Sequence, residues 1–133
     1  MYHVVQCPIR WSDMDAYGHV NNARFLTLLE EARIDLLFGE AGRGAIGSLD
    51  GGLLVRSQTI TYERPVRHGD PFRVEMWISD IRGASFTVGY ETFVEDVRVA
   101  RASSELVRYD LDEDLVRRLS TAECDFLGAY VDE

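Results

Sequence analysis

The stretch WSDMDAYGHVNNARF, Trp11 to Phe25, sets two aspartates, a glycine, a histidine and two adjacent asparagines directly before an apolar helical pattern. From Ala23 to Phe38, Phe25, Leu28, Leu29, Ala32 and Leu36 recur at helical spacing, and Leu26, Ile34 and Leu37 widen the apolar surface beyond one stripe. Such a helix is expected to be largely enclosed. Asn21 or Asn22 suits its N-cap, since a short amide can accept from an otherwise unpaired N–H, and Gly39 suits its end.

The rest of the chain reads mainly as strands. Tyr2 to Arg10 forms a first one, with Val4 and Val5 followed by Pro8. Leu53 to Glu63 is rich in threonine, valine and isoleucine, and Phe72, Val74, Met76 and Ile78 alternate with Arg73, Glu75, Trp77 and Ser79. Turns at DIRGAS and EDVRV lead into Ser85 to Glu95 and Val99 to Tyr109, so consecutive hairpins imply antiparallel pairing. Ser120 and Glu123 make a capping box for a short helix reaching about Tyr130. Between the long helix and the second strand, GEAGRGAIGSLDGG holds more than half of the chain's eleven glycines and reads as a connection.

The sum is an α+β domain, residues 1–133, in which an antiparallel sheet of five strands wraps around one long helix, with a short helix at the end. No apolar run is long enough to span a bilayer, and the opening residues look like neither a secretory signal nor a transit peptide, so a cytoplasmic protein is expected. Cys7 and Cys124 lack metal-ligand spacing and read as small buried hydrophobes.

A net charge of −9 argues against a general nucleic-acid partner. All fourteen basic residues are arginine, which removes Schiff-base chemistry, P-loop nucleotide binding and lysine general bases together. GRGAIG, Gly42 to Gly47, matches a dinucleotide fingerprint but follows a helix instead of a strand. Asp13, Asp15 and Gly18 fall at the first, third and sixth places of a calcium loop, yet Tyr17 takes the fifth and Arg24 puts a cation at the twelfth. A transition-metal site from Asp13, Asp15 and His19 lacks further ligands of suitable spacing, and no G-x-S-x-G elbow is present.

An acid placed seven residues before the start of a buried helix has a use of its own. Unpaired N–H groups at the helix start can polarise a carbonyl, while the carboxylate attacks it or activates water. DMDAYGHVNNARFLTLLEEAR resembles the signature of the hotdog-fold acyl-CoA thioesterases of the 4-hydroxybenzoyl-CoA thioesterase type, D-x-D-x-x-G-H-V-N-N-x-x-[YF] followed by an acidic helix. ITYERPVRHGD is similar to the same family's element Y-x-R-P-x-x-x-G-D.

The resemblance implies a hotdog fold and hydrolysis of acyl-CoA thioesters to free acid and coenzyme A. It implies a homodimer, or a homotetramer built from dimers, with active sites between subunits. It implies no resident cofactor, coenzyme A being part of the substrate. By matched position, Asp15 is the catalytic carboxylate and the N–H of Asn22 the carbonyl polariser. His19 is a general acid or a brace for the loop, and Tyr17 a wall of the acyl pocket or a packing residue. Arg64, Arg67, His68 and Arg82 are candidates for the coenzyme A phosphates, to which the forked guanidinium donors are suited. The rival readings are a non-catalytic acyl-CoA or acyl-carrier binding protein and an enoyl-thioester hydratase. The hydratase spacing D-x-x-x-x-H is absent, because three residues separate Asp15 from His19 and five separate Asp13 from it.

Overall fold

In the computed structural model, which describes residues 2–39 and 52–131, the apolar pattern of Phe25 to Leu37 is a helix, α1, spanning Asn22–Phe38. Asn21 is its N-cap, the side chain accepting from Ala23 N–H at 2.8 Å. Phe25, Leu28, Leu29, Ala32, Leu36 and Leu37 are buried on the face turned to the sheet. The opposite face is open: Ile34 and Asp35 are exposed, so the helix lies on one side of the sheet and is less enclosed than its sequence suggests.

The strands are β1 His3–Gln6, β2 Leu53–Tyr62, β3 Phe72–Ser79, β4 Ser85–Val94, β5 Val97–Asp110 and β6 Leu115–Val116. They pair antiparallel in the order β1-β3-β4-β5-β2, with β6 joined to the end of β5. The sheet thus has six strands where five were expected; the extra one is two exposed residues, too short for an alternating pattern to mark. The first strand is also shorter than expected, because Cys7 N–H still bonds Phe72 O at 2.9 Å but Pro8 has no N–H with which to continue the ladder. This sheet wrapped on one helix is the hotdog arrangement. The glycine-rich connection, with its GRGAIG match, lies outside the described residues apart from Gly39 and Gly52.

Register assigns the two faces of the sheet. Met76 pairs with Tyr90, Tyr90 with Ala102 and Ala102 with Ile60, so these residues share the inner face with Phe72, Val74 and Ile78. On the outer face Trp77 lies across Gly89, where a Cβ would fall 2.3 Å from the indole Cε2, and Tyr2 stacks on Trp77 with ring centroids 5.3 Å apart. The second helix, α2, spans Thr121–Gly128 and starts with the expected capping box. Its Glu123 is buried and also pairs with Arg108 of β5 at 3.3 Å, while Arg108 donates to Gly52 O and Tyr109 O, each at 2.8 Å. Phe126, Leu127 and Tyr130 complete the core at that end.

Both cysteines are free thiols. Cys7 is buried, and loss of hydration, with Glu31 and Asp35 nearby, pushes its thiol up to about 11, which makes it a packing residue at neutral pH.

Two changes test this packing. Gly89→Ala forces a methyl into the Trp77 ring and is expected to cost about 1–3 kcal/mol in denaturant unfolding, with Trp77→Ala in the same chain removing most of that added cost. Asn21→Ala removes the α1 cap and is expected to cost about 1 kcal/mol.

Candidate active site

The loop from Trp11 to Asn21 is closed by its own backbone. A 3-10 turn over Trp11–Asp13 leads to Met14, which bridges to Val20. Asp15 N–H bonds His19 O at 2.7 Å, and Gly18, at φ +78°, supplies the left-handed residue this tight reversal requires. Asp13 is buried in the loop: its carboxylate accepts from Arg10 N–H at 2.9 Å and its carbonyl accepts from Asn21 N–H at 2.8 Å. Both contacts hold the loop against the start of α1, so Asp13 braces it. Among the described residues no three His, Cys, Asp or Glu side chains converge as metal ligands.

Asp15 is half-buried and uses its oxygens unequally. Oδ1 accepts from Tyr17 N–H at 2.8 Å and His19 N–H at 3.1 Å, whereas Oδ2 takes no hydrogen bond from the described residues. The His19 N–H bond, helped by that of Tyr17 and by the His19 ring nearby, holds the carboxyl below the usual aspartate range. Asp15 is therefore an ionised carboxylate with one oxygen fixed and one available.

That oxygen belongs to a residue shared by two clefts. One, of about 340 Å³, is lined by Asp15, His19, Asn22, Phe25, Tyr62 and Arg64. Asn22, the first residue of α1, lines this cleft, and the Asn21 side chain caps Ala23 N–H, so the Asn22 N–H has no acceptor among the described residues. Tyr62, at the end of β2, donates to Asn22 O at 2.7 Å and packs edge-on to Phe25 with centroids 5.4 Å apart. Val20 N–H bonds Val66 O at 2.7 Å and His19 bridges to Arg67, so the loop after β2 is fastened to the Asp15 loop. The other cleft, of about 440 Å³, is lined by Trp11, Met14, Asp15, Gly18 and His68.

Asp15, His19, Asn22, Arg64, Arg67 and His68 thus come together in one chain. His19 serves twice, its backbone closing the loop while the residue lines the first cleft. Tyr17 is neither buried nor part of the cleft wall; it is 85% exposed on the outer rim, near Trp11 in sequence, itself 79% exposed. Arg82 lies apart: β3 runs from the 64–70 loop toward the β3–β4 turn, and its eight residues carry Arg82 about 25 Å away. Sequence reasoning missed Tyr62, although it opens the same Y-x-R-P element that nominated Arg64, because a strand-end tyrosine carries no signal for a tie to a helix start.

Arg10, Arg33, Arg56, Arg73, Arg98, Arg101, Arg108 and Arg117 each have a carboxylate within 4 Å. Among the described residues, Arg24, Arg64, Arg67, Arg82 and Arg118 have none, and the first three border the loop. In a chain of net charge −9, three such cations beside one loop favour an anion there.

Comparison with known proteins agrees with this geometry. The family model of the thioesterase-like superfamily matches residues 9–128. The long-chain acyl-CoA thioesterase FadM of Escherichia coli is 32% identical over 80 residues, 60% of this chain and 61% of that protein. A Thermus thermophilus thioesterase solved in complex with coenzyme A and zinc superposes with a TM-score of 0.81 at 25% identity, over 96% of this chain and 92% of that one. A 1,4-dihydroxy-2-naphthoyl-CoA thioesterase from Synechocystis shares the fold, with a TM-score of 0.78 at 24% identity over 94% and 97% of the two chains. With the helix start at Asn22, the ionised Asp15 and Arg64 lining one cleft, and a family match over nearly its whole length, the chain belongs to the thioesterase-like superfamily.

Proposed function

We propose that this protein hydrolyses acyl-CoA thioesters to the free acid and coenzyme A, with Asp15 as the catalytic carboxylate and the Asn22 N–H polarising the thioester carbonyl. One observation carries the reading: Asp15, whose Oδ2 takes no hydrogen bond from the described residues, lines one cleft with Asn22, the first residue of α1. A carbonyl oxygen placed at the helix start gains a donor and the positive end of the helix dipole as charge develops on it.

Two roles for Asp15 end in the same products. In direct attack, Oδ2 bonds to the carbonyl carbon and the thiolate leaves, giving a mixed anhydride that water then cleaves. As general base, Oδ2 takes a proton from the water that attacks. The lowered proton affinity of Asp15 favours attack, since a base works best when its pKa lies near the operating pH. Label in Asp15 after single-turnover hydrolysis in ¹⁸O-water identifies direct attack, because water that cleaves the anhydride at the aspartyl carbonyl leaves its oxygen there and a general base gains none.

Arg64, Arg67 and His68 are assigned to the phosphates of coenzyme A, on the solvent side of the acid. The assembly is assigned to the β2 edge. This ten-residue strand pairs only with β5 and exposes Leu54, Val55 and Tyr62, which a second copy pairing edge to edge would cover. A two-fold axis at that edge reverses the strand direction, so it brings the Arg82 end of one copy to the same end of the sheet as the cleft of the other. A cytoplasmic setting accords with a thioester pool and with free cysteines.

Asp15→Asn is expected to lower kcat by about a hundredfold or more. The amide oxygen can still accept from Tyr17 and His19, so circular dichroism and coenzyme A binding should be unchanged; unaltered turnover would remove Asp15 from the chemistry. Arg64→Ala and Arg67→Ala are expected to raise KM for acyl-CoA well beyond any loss in kcat, measured against a pantetheine thioester that lacks the nucleotide.

Because the active form of Asp15 is ionised and its pKa is lowered, kcat/KM should stay level as pH falls to about 4 and decline only below that. The stability contributed by the two Oδ1 bonds follows the same sign. It is fully present above the unfolded aspartate value and is lost as pH falls through the lower folded one.

A further inference from the structure

Tyr62 is the last residue of β2, and the sheet holds it in place. Its backbone pairs with Ala100 of β5, and directly after it Glu63 N–H and Arg64 N–H both bond Val99 O, at 2.9 and 3.0 Å. The Glu63 carboxylate is gripped by the Arg98 guanidinium at 2.8 and 3.0 Å. The strand end is therefore a fixed point, set by β5 and not by the Asp15 loop.

From that point the Tyr62 side chain reaches the first turn of α1 in two ways. Its ring stands edge-on to Phe25, and the buried Phe25 stands edge-on in turn to Phe72 of β3, each pair with centroids 5.4 Å apart. Its hydroxyl donates to Asn22 O at 2.7 Å. That carbonyl accepts within the helix from the N–H four residues on, so the hydroxyl takes its second lone pair. Loss of water around the phenol raises its pKa above the ordinary tyrosine value, so the hydroxyl keeps its hydrogen throughout the neutral range.

The effect of these contacts falls on Asn22. The peptide joining Asn22 to Ala23 is held at both ends, by Tyr62 at its carbonyl and by the Asn21 side chain at Ala23 N–H, 2.8 Å away. The peptide before it, joining Asn21 to Asn22, is held at its carbonyl, which accepts from Phe25 N–H at 3.0 Å. Its other end is the Asn22 N–H, which has no acceptor among the described residues. With the planes on both sides of one Cα fixed, that N–H keeps a single direction. Core packing decides where the first turn lies; the tyrosine hydroxyl decides how its first peptides are rotated. A donor serves a developing oxyanion only when it is aimed beforehand, since turning it during the reaction costs what the bond would return.

We propose that Tyr62 is a positioning residue for thioester hydrolysis: through its hydrogen bond to the Asn22 carbonyl it aims the Asn22 N–H at the carbonyl of the substrate. The assignment rests on the thioesterase reading above. Tyr62 lines the same cleft as Asp15 and Asn22, so an effect on binding and an effect on aim have to be told apart.

Tyr62→Phe separates them, because it keeps the ring on Phe25 and removes only the hydroxyl. It is expected to lower kcat about five- to tenfold, with KM for acyl-CoA within about twofold of native and the denaturation midpoint little changed. Light scattering on the same samples should give the native assembly, a necessary check on a residue at the β2 edge. A second readout needs no turnover. The probe is a ketone analogue of octanoyl-CoA with a methylene between the sulfur and a ¹³C-labelled carbonyl, which leaves no thioester to hydrolyse. Its carbonyl resonance should move downfield on binding the native protein and fall back toward the solution position in Tyr62→Phe. Should no thioester be hydrolysed, or Asp15→Asn turn over as the native protein does, while the bound ketone still responds to Tyr62→Phe, the Asp15 reading fails and the aiming role stands. A kcat unchanged within about twofold, a raised KM with kcat intact, a loss of kcat that comes with dissociation, or a ketone resonance that Tyr62→Phe leaves in place would reduce the bond to a tie between strand and helix and overturn the proposal.

Discussion

Burial of the apolar stripe of α1 against the inner face of the sheet is the contact on which the rest depends. Leu28, Leu29, Ala32 and Leu36 are withdrawn from water against Val74, Met76, Ile78 and Tyr90, and each such side chain contributes roughly 1.5–3 kcal/mol. A helix seated that firmly has no freedom to slide, so its first turn is held where the loops at residues 13–21 and 63–70 meet. The bonds from Tyr62 to Asn22, Val20 to Val66 and Asn21 to Asp13 then refine a position that packing has already chosen. The cleft is a by-product of the core in this sense: its donors are the groups every helix leaves unpaired at its start.

The electrostatic arrangement follows the same economy. The outer face closes its charges on itself, as Arg98 does with Glu63 and Glu91, and Arg108 with Glu123 seals α2 to β5 in the interior. Such pairs hold elements in register more than they add stability. The arginines beside the Asp15 loop are left open, and one carboxylate among them has its proton affinity lowered chiefly by backbone N–H groups, with no arginine among the causes. Asp15 therefore stays ionised whether or not those guanidinium groups are engaged.

Much of this was legible in the residues. The spacing of Phe25 through Leu36 announced α1, Asn21 its cap, and the alternation from Phe72 to Ser79 the strand beneath it. The Asp15 loop was recognisable because its chemistry is local, with Asp13, Asp15, His19 and Asn21 close together in sequence. What could not be read was made by distant parts. Tyr62 meets Asn22 across forty positions, and Arg33 meets Tyr90 across fifty-seven. Arg33 did carry a signal, since it falls four after Leu29 and three before Leu36 on an otherwise apolar face, where a cation demands an explanation. Tyr17 and Arg82 differ from the others in position: within one chain Tyr17 is 85% exposed and the length of β3 separates Arg82 from the Asp15 loop.

The Asp15 loop completes itself with its own backbone, while a separate cleft is walled by α1 and β2 at residues well removed from the loop. Side chains along α1 and β2 can therefore change without unmaking the turn that holds Asp15, because that turn is tied by main-chain groups no substitution removes except proline.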